Sequence, residues 1–255
     1  RGERIFRAGG CAGCHAAPEA DGKARLILAG GRRFETQFGT FVAPNISPHP
    51  QAGIGGWSAM DLANAMMRGL SPGGAHYYPA FPYTSYARVP LQDIANLHAY
   101  LQTFPESDAP SAPHELSFPF NIRRTLGLWK RVNLSPDWVV TGDLTEQQRR
   151  GRALVEGPGH CGECHTPRGP GGGLRLDAWL AGAPLPDSDG SASNLTPAAL
   201  DWSEGDIAYY LETGFTPDFD SAGGAMVEVI DNISKLPAVD REAIAAYLKA
   251  VPAVE

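Results

Sequence analysis

The sequence has no long apolar run: no stretch approaches the ~20 consecutive apolar residues that a membrane-crossing helix needs. It has no basic excess either. The formal charge is −7, which disfavours nucleic acid and suits a basic protein partner. Strand signals are sparse, and no targeting segment is visible where the sequence starts at Arg1. Cysteine and methionine are scarce, at four each in 255 residues. Glycine and proline are plentiful, 30 and 22, and point to long ordered loops between short elements. The length suggests one or two domains on a prior of ~150 residues each.

All four cysteines fall in two pentapeptides, "CAGCH" (11–15) and "CGECH" (161–165). The C-x-x-C spacing alone allows a redox dithiol, half of a zinc site or a covalent haem anchor. A thioredoxin-like dithiol needs no following histidine and sits in a βαβ pattern, which is absent around both sites. A structural zinc site would need the pairs to combine or other ligands at short spacing, yet the pairs lie 150 positions apart and each has its own histidine. The haem reading uses every residue. Cys11 and Cys14 bond the two vinyl groups and His15 binds the iron; Cys161, Cys164 and His165 repeat the arrangement. No cysteine is left over to report on a redox compartment. Covalent haem is attached outside the cytoplasm, so a periplasmic protein whose leader has been removed or left out is expected.

The chain also repeats itself. "GWSAMDLANAMMRGLSP" (56–72) matches "DWSEGDIAYYLETGFTP" (201–217) at an offset of 145, pairing Trp57 with Trp202, Asp61 with Asp206, Gly69 with Gly214 and Pro72 with Pro217. "NISP" (45–48) matches "NLTP" (194–197), "LAGG" (28–31) matches "LAGA" (180–183), and "DIANLHAYLQTFP" (93–105) matches "EAIAAYLKAVP" (242–252). Each half reads as an opening helix, the C-x-x-C-H, a long loop, a helix, a loop and a closing helix. "RGERIF" (1–6) and "RGRALV" (150–155) are the expected opening helices. Ser58 and Ser203 are expected N-caps, with Asp61 and Asp206 three residues on. Ile244, Tyr247 and Leu248 form the stripe of a closing helix over 240–250, stopped by Pro252. The segment 106–144 is too apolar around "FPFNIRR" and Trp129 for a free tether, and reads as an ordered strap packed across both domains.

Each half resembles a class I cytochrome c domain. The whole chain resembles the tandem dihaem cytochromes c that accompany bacterial periplasmic dehydrogenases, including the cytochrome subunit of membrane-bound alcohol dehydrogenases. The resemblance rests on the two haem motifs and on "APNISPHPQAGIGGWS", "GGAHYYPAFPYTSY", "DWSEGDIAYYLETGF" and "GGAM". It implies an all-α fold with domain 1 over 1–105, the strap over 106–144 and domain 2 over 145–255. It also implies two covalently bound haem c, electron transfer and a periplasmic location, and leaves the dehydrogenase unidentified.

A class I haem has methionine opposite its histidine. Met226, in "GGAM", is the expected distal ligand of haem 2, and the glycines before it let the loop approach closely. The same offset in the first half reaches Phe81, whose ring has no lone pair for iron. Met66 aligns with Leu211 and is expected in the core, Met67 aligns with Glu212 at the surface, and Met60 is poorly placed in a first helical turn. Haem 1 is therefore expected to take His76, five residues before Phe81, to lack a strong sixth ligand, or to recruit one of those methionines. His160 is expected to pack at the haem edge, and His49, His98 and His114 to be surface or strap residues. Arg123 and Arg124 are expected either to pair with haem propionates or to be solvated. Trp57 and Trp202 are expected to share one role, core packing or an indole bond to a propionate.

The expected function is electron transfer from a dehydrogenase to another cytochrome or an oxidase. The alternative is an enzyme that acts on a small molecule at haem 1. His76, Tyr77, Tyr78 and Tyr83 keep the alternative open, although no catalytic set surrounds residues 70–90. A gas sensor would need a signalling domain, for which the sequence offers no segment.

Overall fold

A computed structural model describes residues 1–185 and 190–255. Most of their regular structure is helical, as the all-α expectation has it, and they divide into two compact units. Unit 1 holds Arg1–Phe6, Cys11–Thr84 and Pro90–Leu134, and unit 2 holds Arg7–Gly10, Ser85–Val89 and the described part of Ser135–Glu255. The expected strap thus divides at Leu134, and two short early segments belong with the later unit. No composition shift marks either feature, because both depend on contacts remote in sequence.

Up to Leu134 the chain runs α1 (Gly2–Ala8), α2 (Cys11–His15), β1 (Arg33–Thr36), β2 (Gly39–Val42), α3 (Ala59–Arg68), α4 (Tyr83–Tyr86), α5 (Leu91–Leu101), β3 (Glu115–Leu116) and α6 (Leu126–Asn133). Gly2 sits where α1 meets α5, and a Cβ there would collide with the Asn96 carbonyl. Phe6 is fully buried, edge-to-face with Tyr100 and Phe104 at 5.6 and 5.0 Å between centroids. α3 starts at a reciprocal capping box between Ser58 and Asp61 and ends at Gly69 in the left-handed conformation. Its inner face buries Leu62, Ala63, Ala65 and Met66.

The small antiparallel sheet was not anticipated. β1 and β2 form a hairpin that pairs Phe34 with Phe41, and β3 from the strap adds to the β2 edge. Four-residue strands carry too little alternation to stand out in a sequence, and Phe41 gains its burial from Tyr78 and Leu126, distant in the chain. The strap is ordered by polar contacts as well. Asn45 donates to the Ser107 and Ala109 carbonyls at 2.8 Å each, and Arg33 grips the Glu115 carboxylate at 3.0 and 2.7 Å.

Unit 2 runs α7 (Glu146–Val155), α8 (Gly162–His165), β4 (Ala183–Pro184), β5 (Ser191–Ala192), α9 (Glu204–Thr213), α10 (Met226–Ile233) and α11 (Ala238–Leu248). α7 starts earlier than the expected 150–155, because Thr145 and Gln148 form a capping box. Gly151 repeats the part of Gly2: a Cβ there would meet the Ala243 carbonyl of α11. α9 has the same Ser203–Asp206 box and left-handed Gly214 as its counterpart in unit 1.

The centre of unit 2 holds a buried carboxylate. Glu156, fully buried, accepts from the Val139 and Val140 N–H groups at 2.6 and 3.0 Å and from the Tyr247 hydroxyl at 2.6 Å. Trp179 donates to the same hydroxyl at 3.2 Å, and the Arg88 guanidinium lies 3.6 Å from the carboxylate. Burial first, then the Glu156 charge, raise the Tyr247 phenol far above its ordinary value, so it stays a donor. Glu156→Ala would leave two N–H groups and a hydroxyl without their acceptor. It is expected to destabilise unit 2 by about 3–5 kcal/mol, and Glu156→Gln by less. The midpoint of a denaturant melt followed by near-UV circular dichroism measures this, and an unchanged midpoint for the alanine variant would contradict it.

Candidate functional site

Both C-x-x-C-H stretches form single helical turns. α2 is the first pentapeptide itself, and α8 begins just after Cys161. Cysteines three apart and the histidine after them then project from one side of the turn. No disulfide joins the cysteines among the described residues. Burial, and next the neighbouring Cys14 or Cys164, push the Cys11 and Cys161 thiols up to about 12. A redox dithiol needs the opposite shift. No cluster of three or more metal-holding side chains occurs among the described residues.

The histidines are oriented alike. His15 Nδ1 lies 2.9 Å from the Pro44 carbonyl and His165 Nδ1 2.7 Å from the Ser193 carbonyl. A carbonyl only accepts, so each Nδ1 carries the proton and each Nε2 keeps its lone pair. Burial lowers both imidazole pKa values, against the opposing effect of the carbonyls, and the rings are neutral at pH 7. The histidine carbonyls are fixed as well, accepting from Gly30 at 2.7 Å and from Gly182 at 2.8 Å. Sequence reasoning missed Pro44 and Ser193 because backbone carbonyls carry no residue signature. The repeat held the signal: each precedes the asparagine of the "NISP" or "NLTP" motif. Asn45 Oδ1 accepts from Ser47 N, and Asn194 Oδ1 from Thr196 N, at 2.8 Å each. The Asn194 amide also donates to Val254 at 2.8 Å. The repeated asparagine therefore clamps the loop that presents the carbonyl. Neutral imidazole, a free Nε2 and paired thiols on one turn fit covalently attached haem c at both places.

The loops that follow α3 and α9 start alike and then separate. Leu70 bridges His76 as Phe215 bridges Ser221, and the Tyr77 N–H reaches the Gly69 carbonyl at 2.7 Å as Ala222 reaches Gly214 at 2.8 Å. The offset of 145 thus holds through residues 77 and 222. Two residues on, Gly224 is left-handed at φ +55, a conformation closed to its counterpart Pro79. Met226 then opens α10, half-buried, whereas Phe81 precedes α4 and stands edge-to-face with Tyr77 at 6.0 Å.

His76 is engaged by the strap. The Lys130 ammonium lies 3.1 Å from His76 Nδ1 and donates to the Arg68 and Gly69 carbonyls at 2.7 and 2.6 Å. Burial lowers Lys130 to about 8, so it remains a cation at pH 7. Burial and then this cation lower the His76 pKa. His76 Nδ1 is therefore the acceptor and Nε2 carries the proton, the reverse of His15 and His165. Arg123 stacks 4.9 Å over the Tyr78 ring and donates to the His76 carbonyl at 3.0 Å, so it is held by the loop rather than solvated; Arg124 is exposed.

Met66 is buried, Met67 half-buried and Met60 exposed. His98, His114 and His49 serve local backbone bonds, with the Trp57 carbonyl, the Val42 N–H and the Ala52 N–H. His160 stacks on Tyr86 and has its Nε2 3.3 Å from the Gly9 carbonyl. Trp202 packs on Tyr210 at 5.2 Å, partly buried against the core of unit 2.

A family model described as cytochrome c matches residues 1–105. A protein of Cereibacter sphaeroides described as diheme cytochrome c-type is 62% identical, covering 100% of this chain and 86% of the relative. The fructose dehydrogenase cytochrome subunit of Gluconobacter japonicus is 37% identical, covering 99% of this chain and 52% of the relative. The cytochrome c subunit of the quinone alcohol dehydrogenase of Gluconobacter oxydans is 33% identical, covering 100% of this chain and 55% of the relative. The chain spans about half the length of those two dehydrogenase subunits.

The asparagine clamps give a test. A carbonyl on Nδ1 raises the basicity of Nε2 and favours the oxidised iron. Asn194→Ala should loosen the Ser193 carbonyl and raise the reduction potential of one haem only. Spectroelectrochemical titration reads this, and two unmoved potentials would show the clamp to be unconnected to His165.

Proposed function

The chain belongs to the dihaem c-type cytochromes, and from that premise we propose that it takes electrons from a periplasmic dehydrogenase and delivers them to a further cytochrome or an oxidase. The observation that carries the proposal is the duplicated histidine arrangement: two separate turns present a neutral Nε2 beside paired thiols. Similarity to dehydrogenase cytochrome subunits supports the donor class. No helix among the described residues is long and apolar enough to cross a membrane.

Cys11, Cys14 and His15 would hold one haem, and Cys161, Cys164 and His165 the other. Haem supplies a one-electron couple when bound. The protein's part is to set two unequal couples. Met226 would offer a thioether to the second iron from a loop whose Gly223 and Gly224 leave open space around the backbone. Thioether favours reduced iron and raises that potential. In the first unit Phe81 has no donor atom, and Lys130 holds His76 in the tautomer whose Nε2 lone pair is absent. This favours a first haem with no strong sixth ligand over one ligated by His76. Aromatic bulk from Phe81 and Tyr77 would limit access without bonding the iron.

Carbon monoxide titration of the reduced holoprotein tests the assignment. One equivalent per chain is expected. Phe81→Met should abolish binding, Met226→Ala should raise it to two equivalents, and His76→Ala should leave it at one. No binding by the native protein, with binding appearing in His76→Ala, would make His76 the ligand after all.

A further inference from the structure

Three turns among the described residues share one hydrogen-bond pattern. An isolated bridge closes each: Leu70 with His76, Arg168 with Leu174, Phe215 with Ser221. Inside the bridge, Ser71, Gly169 and Thr216 donate to the carbonyls of Ala75, Gly173 and Asp220, at 2.9 Å each. Gly74, Gly172 and Phe219 donate back to Ser71, Gly169 and Thr216 at 2.9, 2.9 and 3.1 Å. This is a tight turn followed by one left-handed residue. Gly74 at φ +79 and Gly172 at φ +76 take that position without a Cβ to clash. The third turn puts Phe219 there, at φ +63.

A bulky residue in this conformation is an outlier, because its Cβ crowds the following carbonyl. Packing does not offset the strain, since Phe219 is 96% exposed. Strained backbone of this kind persists where function uses it. The duplicated copy shows what changed: Gly73, Gly74 and Ala75 in unit 1 stand where unit 2 has Asp218, Phe219 and Asp220. An uncharged, small tip has become an aromatic ring between two carboxylates. Phe215 at the hairpin base and Val227 beyond it are also half exposed, at 52% and 53%. The Ala222-to-Gly214 bond closes the base, and the chain then runs directly into Met226.

We propose that the 215–221 hairpin is a docking tip for a redox partner that presents an apolar pocket ringed by lysine and arginine. The proposal rests on the electron-carrier reading and names the partner face of the second haem. Charge selects the occupant. Asp218, Asp220 and the formal chain charge of −7 attract a basic rim and oppose both a second copy and an anionic lipid surface. Phe219 is the central anchor and the carboxylates are its polar rim, the arrangement of an interface hot spot. Burial of the ring in the partner offsets a backbone strain that the free protein leaves unrelieved.

The test is calorimetric titration of the oxidised holoprotein with a lysine-rich monohaem cytochrome c at low ionic strength. Phe219→Gly and Phe219→Asn should each weaken Kd at least tenfold while Tm holds or rises, because both residues accept the left-handed conformation. Asp218→Asn with Asp220→Asn should flatten the dependence of Kd on salt. Native protein that does not bind, or Phe219→Gly that binds as tightly as native, overturns the proposal. So does a fall in Tm with the lost binding, which would make the ring ordinary structure. A native dimer in sedimentation that Phe219→Gly dissociates would assign the tip to a second copy and also overturn it. Binding that depends on Phe219 without electron exchange between the two proteins would sink the carrier function and uphold the tip. Normal exchange with binding indifferent to Phe219 would do the reverse.

Discussion

One hydrogen bond, made twice, governs the rest: the histidine Nδ1–H to a loop carbonyl. It fixes the ring and the tautomer, and leaves Nε2 as the only donor atom. The long loops exist to deliver that carbonyl. Asn45 and Asn194 clamp them, the first onto the strap at Ser107 and Ala109, the second onto the chain end at Val254. The glycines at 2 and 151 let opening and closing helices meet closely in each unit.

The two units are alike where they hold the histidine and unlike beyond residues 77 and 222. In unit 2 a glycine in the left-handed region leads into Met226 and α10. In unit 1 proline and aromatic residues replace the glycines, and the strap holds the loop through Arg123, His114 and Lys130. The repeat thus presents two similar histidine turns, and the loops that follow α3 and α9 diverge.

Much of this was legible in the sequence. The pentapeptides gave the haem chemistry outright, since every cysteine and both following histidines fit one use. The repeat located the N-caps at Ser58 and Ser203, paired Gly69 with Gly214 and exposed the contrast between Phe81 and Met226. What escaped was carried by backbone or by remote contacts. The carbonyls of Pro44 and Ser193 have no side-chain signature. The β1–β2 hairpin is too short to show its alternation, and the allotment of 7–10 and 85–89 to unit 2 depends on packing. Lys130 carried no signal in the sequence, yet it is buried and sets the His76 tautomer.

The central claim is that similar histidine sites are paired with dissimilar loops after α3 and α9. The electron paramagnetic resonance spectrum of the oxidised holoprotein tests it most directly. The account predicts one low-spin haem with histidine and methionine ligands and one high-spin haem, in equal amounts. Two equivalent low-spin histidine–methionine signals would contradict it.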